Sequence, residues 1–160
     1  MRRGVWIGIV AAALAAGLAW GADGPTLEAA AAGIESAAAK PDGDRVVVGH
    51  LSRKLGLSAD VLRQQRTWSG LGWGDVLIAN YLAAASRRTF DETVAEHRRG
   101  KTWNEIAEGH QVPASELLQY VRESEDAIEE RSEDRAVSRS KSGGPSHAAG
   151  GGGGGGHRRY

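Results

Sequence analysis

The sequence predicts an all-α fold, a small bundle of short helical hairpins around one apolar central helix, followed by a disordered C-terminal tail. Apolar residues recur at helical spacing, and no stretch alternates convincingly with period two. Two capping-box patterns, Thr89 with Glu92 and Thr102 with Glu105, mark helix starts. Residues 76–85 are apolar over most of a helix circumference, which is typical of the most buried helix of a bundle.

Residues 1–22 predict a secretory signal peptide. Arg2 and Arg3 precede residues 5–20, an uncharged and mostly apolar run that is shorter than the roughly 20 residues that a membrane helix needs. We therefore expect cleavage before about Ala22, a secreted or periplasmic mature chain, and no stable membrane anchor after cleavage.

An alanine-rich segment, residues 23–43, follows the signal peptide. Alanine is the best helix former, and Thr26 has a side chain suited to an N-cap. Because Leu27 and Ile34 are its few large apolar residues, we expect a weakly packed or frayed helix. The turn sequence at residues 40–43 then predicts a linker.

The helical core domain is predicted at residues 44–121. The valines at 46–48 share a helix that Gly56 ends, and Ser58 caps the helix that follows. Asp75 favours the start of the central helix, because a carboxylate is stabilised in a first helical turn. Further inward-facing positions follow at helical spacing: Phe90, Val94, Trp103, Ile106, Ala107, Leu117, Leu118 and Val121.

The apolar pattern fades beyond the core domain. Residues 122–141 are rich in Glu and Arg, so this segment is predicted to be either a charged helical extension or disordered. Residues 142–160 include seven consecutive glycines at 150–156, which predicts a flexible, disordered tail of low complexity.

Two internal similarities link distant parts of the core domain. Residues 51–62 align without gaps on residues 106–117, and both indicate a helix, a turn and a second helix. The stretch Trp73–Val76 matches Trp103–Ile106, since each Trp precedes an acidic residue by two positions and a β-branched residue by three. We expect two or three hairpins packed on the central helix rather than a solenoid.

The two Trp motifs predict four structural anchors. Asp75 and Glu105 fall in first helical turns, where the helix dipole favours negative charge. Trp73 and Trp103 can fold over those helix starts. Trp68 is expected, like them, to be a core residue or a hairpin clamp, and an exposed platform for glycan or peptide is the alternative.

These motifs also carry a resemblance. Residues 70–80 (GLGWGDVLIAN) and 99–107 (RGKTWNEIA) resemble a family of exported bacterial helical domains with paired Gly-Leu-Gly-Trp-Gly-acidic-aliphatic and Gly-Lys-x-Trp-x-Glu-Ile-Ala motifs. The likeness covers about residues 46–121, and Asn104 departs from the glycine of the second motif. It implies a helical fold and an exported location, and it brings no catalytic residues and no established activity.

Composition excludes several kinds of site. The chain has 20 basic and 20 acidic residues, so no global field attracts nucleic acid or anionic lipid. It has no cysteine, which excludes disulfides, thiolate zinc sites, iron–sulfur clusters and a lipoprotein anchor. Since the histidines show neither i, i+4 nor HExxH spacing, we expect no metal and no cofactor. The histidines are His50, His97, His110, His147 and His157.

Catalysis has one candidate pair. Asp75 and Glu105 occupy equivalent positions after the two Trp residues and could line one groove, and paired carboxylates can cleave glycans by acid–base catalysis. The helix dipole already accounts for a carboxylate at each of these two helix starts. No nucleophile-elbow sequence, which serine-based catalysis would need, is present. We therefore expect no enzymatic activity.

The predicted function is a structural or interaction role in the cell envelope, with an unidentified protein or envelope polymer as the partner. The alternative is a nucleic-acid-binding helix–turn–helix protein, since residues 51–62 have that form and the second helix carries Arg63 and Arg66. The discriminating observation is whether these two arginines join Arg53 and Lys54 on one exposed face.

Overall fold

A computed structural model describes residues 26–142 of this 160-residue chain. The described part consists of seven α-helices and contains no β-strand, which confirms the all-α fold. The predicted signal peptide and the tail from residue 143 onward lie outside the described residues. The helices are α1 (Leu27–Ala39), α2 (Gly43–Leu55), α3 (Ala59–Ser69), α4 (Trp73–Ser86), α5 (Phe90–Arg98), α6 (Trp103–Gly109) and α7 (Ala114–Ser142).

Helix α4 is the central helix of the bundle, as predicted. It contacts all six other helices of the described region, and Leu77, Ile78 and Leu82 are fully buried along it. Gly74 lets the start of α4 lie directly against α1, because a Cβ atom at this position would fall 2.4 Å from the Ala31 carbonyl oxygen. The absence of a side chain at position 74 therefore sets how closely the two helices pack.

Helix α1 is packed more firmly than expected. It lies against α7, α2 and α4, and Ile34 is fully buried. The expectation of a weakly packed or frayed helix was wrong, because short alanine side chains let the helix backbones approach and bury small apolar groups in close contact. The packed core therefore includes residues that precede residue 44. The buried residues of α1 are Leu27, Ala30, Ala31, Ile34 and Ala37.

Helix α7 continues without interruption past the end of the predicted core domain. Ser124 and Ile128 are fully buried, so the packed core extends into the charged segment at 122–141. An ion pair between Asp42 and Arg139 ties the far part of α7 to the turn between α1 and α2. Of the two alternatives for residues 122–141, the structure shows the helical extension.

The local capping signals are confirmed. Both capping boxes form, with the Thr89 and Thr102 side chains accepting backbone N–H groups at the starts of α5 and α6. The Ser58 hydroxyl accepts the Val61 backbone N–H at 3.3 Å at the start of α3. Gly56 ends α2 in the left-handed region, with φ of 68°.

The two aligned stretches form equivalent helix–turn–helix units. Residues 51–62 join α2 to α3, and residues 106–117 join α6 to α7. The aligned positions Gly56 and Gln111 both adopt left-handed backbone conformations, with φ of 68° and 59°. No helix between residues 26 and 142 is both long enough and apolar enough to cross a membrane.

Candidate functional site

The two predicted Trp anchors make equivalent long-range hydrogen bonds. Trp73 begins α4, and its indole N–H donates to Asp44 of α2 at 3.0 Å. Trp103 begins α6, and its indole N–H donates to Asp75 of α4 at 2.8 Å. Both rings are buried. Each Trp therefore joins the start of its own helix to a carboxylate in the first turn of an earlier helix.

Glu35 of α1 caps the central helix, a role that no local sequence signal indicated. Its carboxylate accepts the Trp73 backbone N–H at 2.6 Å and a hydrogen bond from the Arg66 guanidinium at 2.6 Å. The N-cap residue of α4, Gly72, has no side chain that could accept this N–H. Arg66 also lies over the Trp73 ring, 4.7 Å from its centroid, so its charge is engaged within the protein.

Asp75 and Glu105 have different surroundings. Asp75 lies beside Trp103 in a groove of about 480 Å³ between α1, α4, α5 and α6, and Glu105 is not among the residues that line this groove. Glu105 turns back to its own helix start, where the backbone N–H and then the hydroxyl of Thr102 donate to it and lower the pKa of Glu105. The structure therefore does not bring the two carboxylates together as an acid–base pair.

His97 also lines this groove. Its ring stacks on Trp103 with 4.0 Å between the ring centroids and 10° between the planes, and its Nδ1 lies 2.9 Å from the Lys101 carbonyl oxygen. No sequence pattern indicated this stacking, because a ring contact between two helices leaves no local pattern. The stacked ring shields one face of Trp103 from solvent.

A buried carboxylate forms a second polar cluster. Glu96 of α5 accepts hydrogen bonds from Lys101 at 2.6 Å and from His110 at 2.8 Å, and Arg88 lies 3.7 Å away. The hydrogen bond from Lys101, and then that from His110, hold the pKa of Glu96 below its ordinary value. Between residues 26 and 142, no group of three His, Cys, Asp or Glu side chains could hold a metal ion.

The four cations of the predicted nucleic-acid-binding unit do not form one exposed face. Lys54 reaches α7, where its ammonium lies 3.6 Å from Glu123 and only 20% of its side chain is exposed. Arg66 turns towards α1, as described above. Arg53 and Arg63 remain exposed. Lys54 and Arg66 are therefore engaged with other helices, and Arg63 lies 3.6 Å from Asp60 of its own helix.

Arginines from three helices converge on a second groove. It encloses about 610 Å³ between α2, α3 and α7, and Asp134 is the one acidic residue in its lining. Arg45, Arg53 and Arg135 form no salt bridge with any residue that the structure describes. The lining arginines are Arg45, Arg53, Arg63, Arg131 and Arg135. No sequence pattern pointed to this site, because its residues come from three separate helices.

His50 positions one of these arginines from the core side. Arg131 donates hydrogen bonds to His50 Nδ1 at 2.6 Å and to the Ala127 carbonyl oxygen at 3.1 Å. Burial, and then the positive charges of Arg131, Lys54 and Arg53, lower the pKa of His50 from 6.5 to about 4. The His50 ring is therefore neutral near pH 7, and its buried Nε2 has no hydrogen-bond partner among the described residues.

Trp68 differs from the other two tryptophans. Its side chain is 50% exposed, so of the two predicted roles, core residue or hairpin clamp, the core role does not hold for this position. The Arg98 guanidinium lies 4.6 Å from the Trp68 ring centroid and donates to the carbonyl oxygens of Trp68 and Ser69. Arg98 of α5 thus holds the end of α3 through Trp68 at the protein surface.

Comparisons with protein-family models, with curated proteins and with solved structures find no match to this chain.

Proposed function

We propose that this protein is an exported, non-enzymatic interaction module of the cell envelope. The observation that carries the proposal is that both carboxylates offered for catalysis are engaged in the fold. Asp75 accepts the Trp103 indole N–H at 2.8 Å, and Glu105 accepts the backbone N–H and the hydroxyl of Thr102 at 2.7 Å and 3.0 Å. A general acid or base must exchange a proton with its substrate, whereas these groups hold helix starts.

The N-terminal sequence supports the location. Residues 1–22 have two arginines followed by an apolar run too short for an ordinary membrane helix, which is the layout of a cleaved signal peptide. In this proposal the mature chain has no stable membrane anchor. It acts by binding a protein or an envelope polymer, without a metal or a cofactor.

Hydrolysis assays with purified mature protein test the non-enzymatic part of the proposal. The expected result is no release of fragments from cell-envelope glycans above the rate in buffer. Strong hydrolysis that Asp75→Asn or Glu105→Gln abolishes would contradict the proposal. Because both substitutions also remove the negative charge and weaken the hydrogen bonds at helix starts, thermal melting of each variant shows whether lost activity is merely lost folding.

A nucleic-acid-binding helix–turn–helix protein is the second candidate. The turn between α2 and α3 has the required form, and Arg53 and Arg63 are exposed beside it. The engagement of Lys54 and Arg66 within the fold weighs against it. A mobility shift of duplex DNA that weakens with salt and with Arg63→Gln would support this candidate, and no shift at low salt would remove it.

A further inference from the structure

We infer that the arginine groove between α2, α3 and α7 binds a linear polyanion, a chain of repeating phosphate or carboxylate groups. The inference rests on the proposed envelope function and names the chemistry of its partner. Five arginines and one aspartate line this groove of about 610 Å³. A concave surface with one sign of charge concentrates ions of the opposite sign.

The charge of the groove is only partly compensated within the described residues, because Arg63 alone of its five arginines forms a salt bridge, with Asp60 at 3.6 Å. Several cations elsewhere in the bundle pair with carboxylates, as Lys54 does with Glu123 and Lys101 does with Glu96. Arg45, Arg53 and Arg135 have no such partner between residues 26 and 142. Grouped like charges repel one another and lower stability, which is the cost expected of a binding surface rather than of a structural one.

The shape of the groove fits an extended chain. Arg45, Gly49 and Arg53 follow one another at four-residue intervals along α2 and all line the groove. Eight residues of α-helix separate the Cα atoms of Arg45 and Arg53 by about 12 Å, so both side chains can reach separate anionic groups of one extended chain. Gly49 lies between them without a side chain, and the Arg53 guanidinium lies over this position, 3.7 Å from where a Cβ atom would stand. Arg135 approaches from α7 on the opposite wall.

All five cations of the groove are arginines. A planar guanidinium forms paired hydrogen bonds with phosphate or carboxylate, whereas a lysine ammonium acts as a point charge. Arg131 is held in place before any ligand arrives, because it donates to His50 Nδ1 at 2.6 Å and to the Ala127 carbonyl oxygen at 3.1 Å. A side chain that is already ordered loses less freedom on binding.

The same geometry disfavours duplex DNA as the ligand. A recognition helix must protrude into the major groove, which is about 12 Å wide. Here Arg63 of α3 lines the same concavity as Arg131 and Arg135 of α7, so it does not stand on a protruding helix face. A single flexible polymer can enter a groove between helices without this obstruction.

Binding of two defined polymers to the purified mature chain tests the inference. Inorganic polyphosphate and polygalacturonate serve as the phosphate and carboxylate probes, each measured by calorimetry at low and at physiological salt. The test variant is Arg45→Gln/Arg135→Gln. The matched control is Arg99→Gln/Arg122→Gln, which removes the same charge at exposed positions outside the groove.

At least one polymer should bind in a salt-dependent manner, and the preferred polymer identifies the source of the anionic groups. The test variant should weaken binding at least about tenfold, because each lost guanidinium removes charge-assisted hydrogen bonds. The control should change affinity less than about twofold. The melting temperature of the test variant should not fall, because the substitution relieves repulsion.

Three results would overturn the inference. One is the absence of binding to both polymers at low salt. Another is equal weakening by the test and control variants, which would indicate attraction by overall charge. The third is tighter binding of duplex DNA than of either polymer. Cell fractionation separates these failures from failure of the proposed function, because an exported protein that binds neither polymer would still be an envelope protein.

Discussion

At the scale of single residues, the fold depends on carboxylates at helix starts that bind tryptophans from other helices. Asp44 accepts the indole N–H of Trp73, and Asp75 accepts that of Trp103. Each carboxylate also lies in a first helical turn, where the helix dipole favours its charge. The two tryptophans therefore combine the burial of a large ring with a satisfied polar group.

Replacing Trp73 or Trp103 with Ala should lower the free energy of unfolding by about 3–5 kcal/mol, because a buried ring is deleted and a carboxylate loses its donor. Trp68→Ala is the matched control. Since half of that side chain is exposed, its loss should be about 1 kcal/mol. Urea unfolding measures all three, and equal losses would contradict the assigned roles.

Acid should destabilise the protein between pH 6.5 and pH 4. In the unfolded chain His50 binds a proton once the pH falls below its ordinary pKa of 6.5. In the folded protein burial lowers this pKa to about 4, so the ring stays neutral until the pH reaches that value. The contribution of His50 to the free energy of unfolding is therefore fully present above pH 6.5. Up to about 3 kcal/mol of the free energy of unfolding is lost as the pH falls to 4. Urea unfolding across this range measures the loss. His50→Gln should flatten the dependence, and an unchanged slope in that variant would contradict the assignment.

At the scale of elements, helix starts could be predicted from the sequence, but helix neighbours could not. The boxes at Thr89 and Thr102 lie within four residues, so the local pattern was sufficient. The packing of α1 was missed because its alanines carry little apolar signal, although they pack closely. The extent of α7 stayed open because its partner contacts, such as that of Arg131 with His50, join residues 81 positions apart.

Gly74→Ala should destabilise the contact between α1 and α4 by about 1–3 kcal/mol, because the new Cβ would fall 2.4 Å from the Ala31 carbonyl oxygen and force the helices apart. Gly109→Ala is the matched control in α6. A Cβ at that position meets no atom within 4 Å, so the variant should be neutral or up to about 1 kcal/mol more stable. Thermal melting compares them, and equal stabilities would contradict the close packing.

At the scale of the whole molecule, the all-α architecture and its central helix were predictable, because α4 is apolar on most of its sides. The arginine groove was not predictable. Its arginines run from position 45 to position 135, and the sequence does not show which cations find carboxylates and which do not. Trp68 shows the same limit, because its spacing resembles that of a core residue although its ring lies at the surface.

We propose above all that this helical bundle works outside the cytoplasm as a binding module. N-terminal sequencing of the native protein, recovered after cell fractionation, tests that claim most directly. We predict a chain in the envelope or extracellular fraction that begins near Ala22. A full-length chain in the cytosol, with Arg2 and Arg3 still attached, would contradict the account and favour the nucleic-acid-binding alternative.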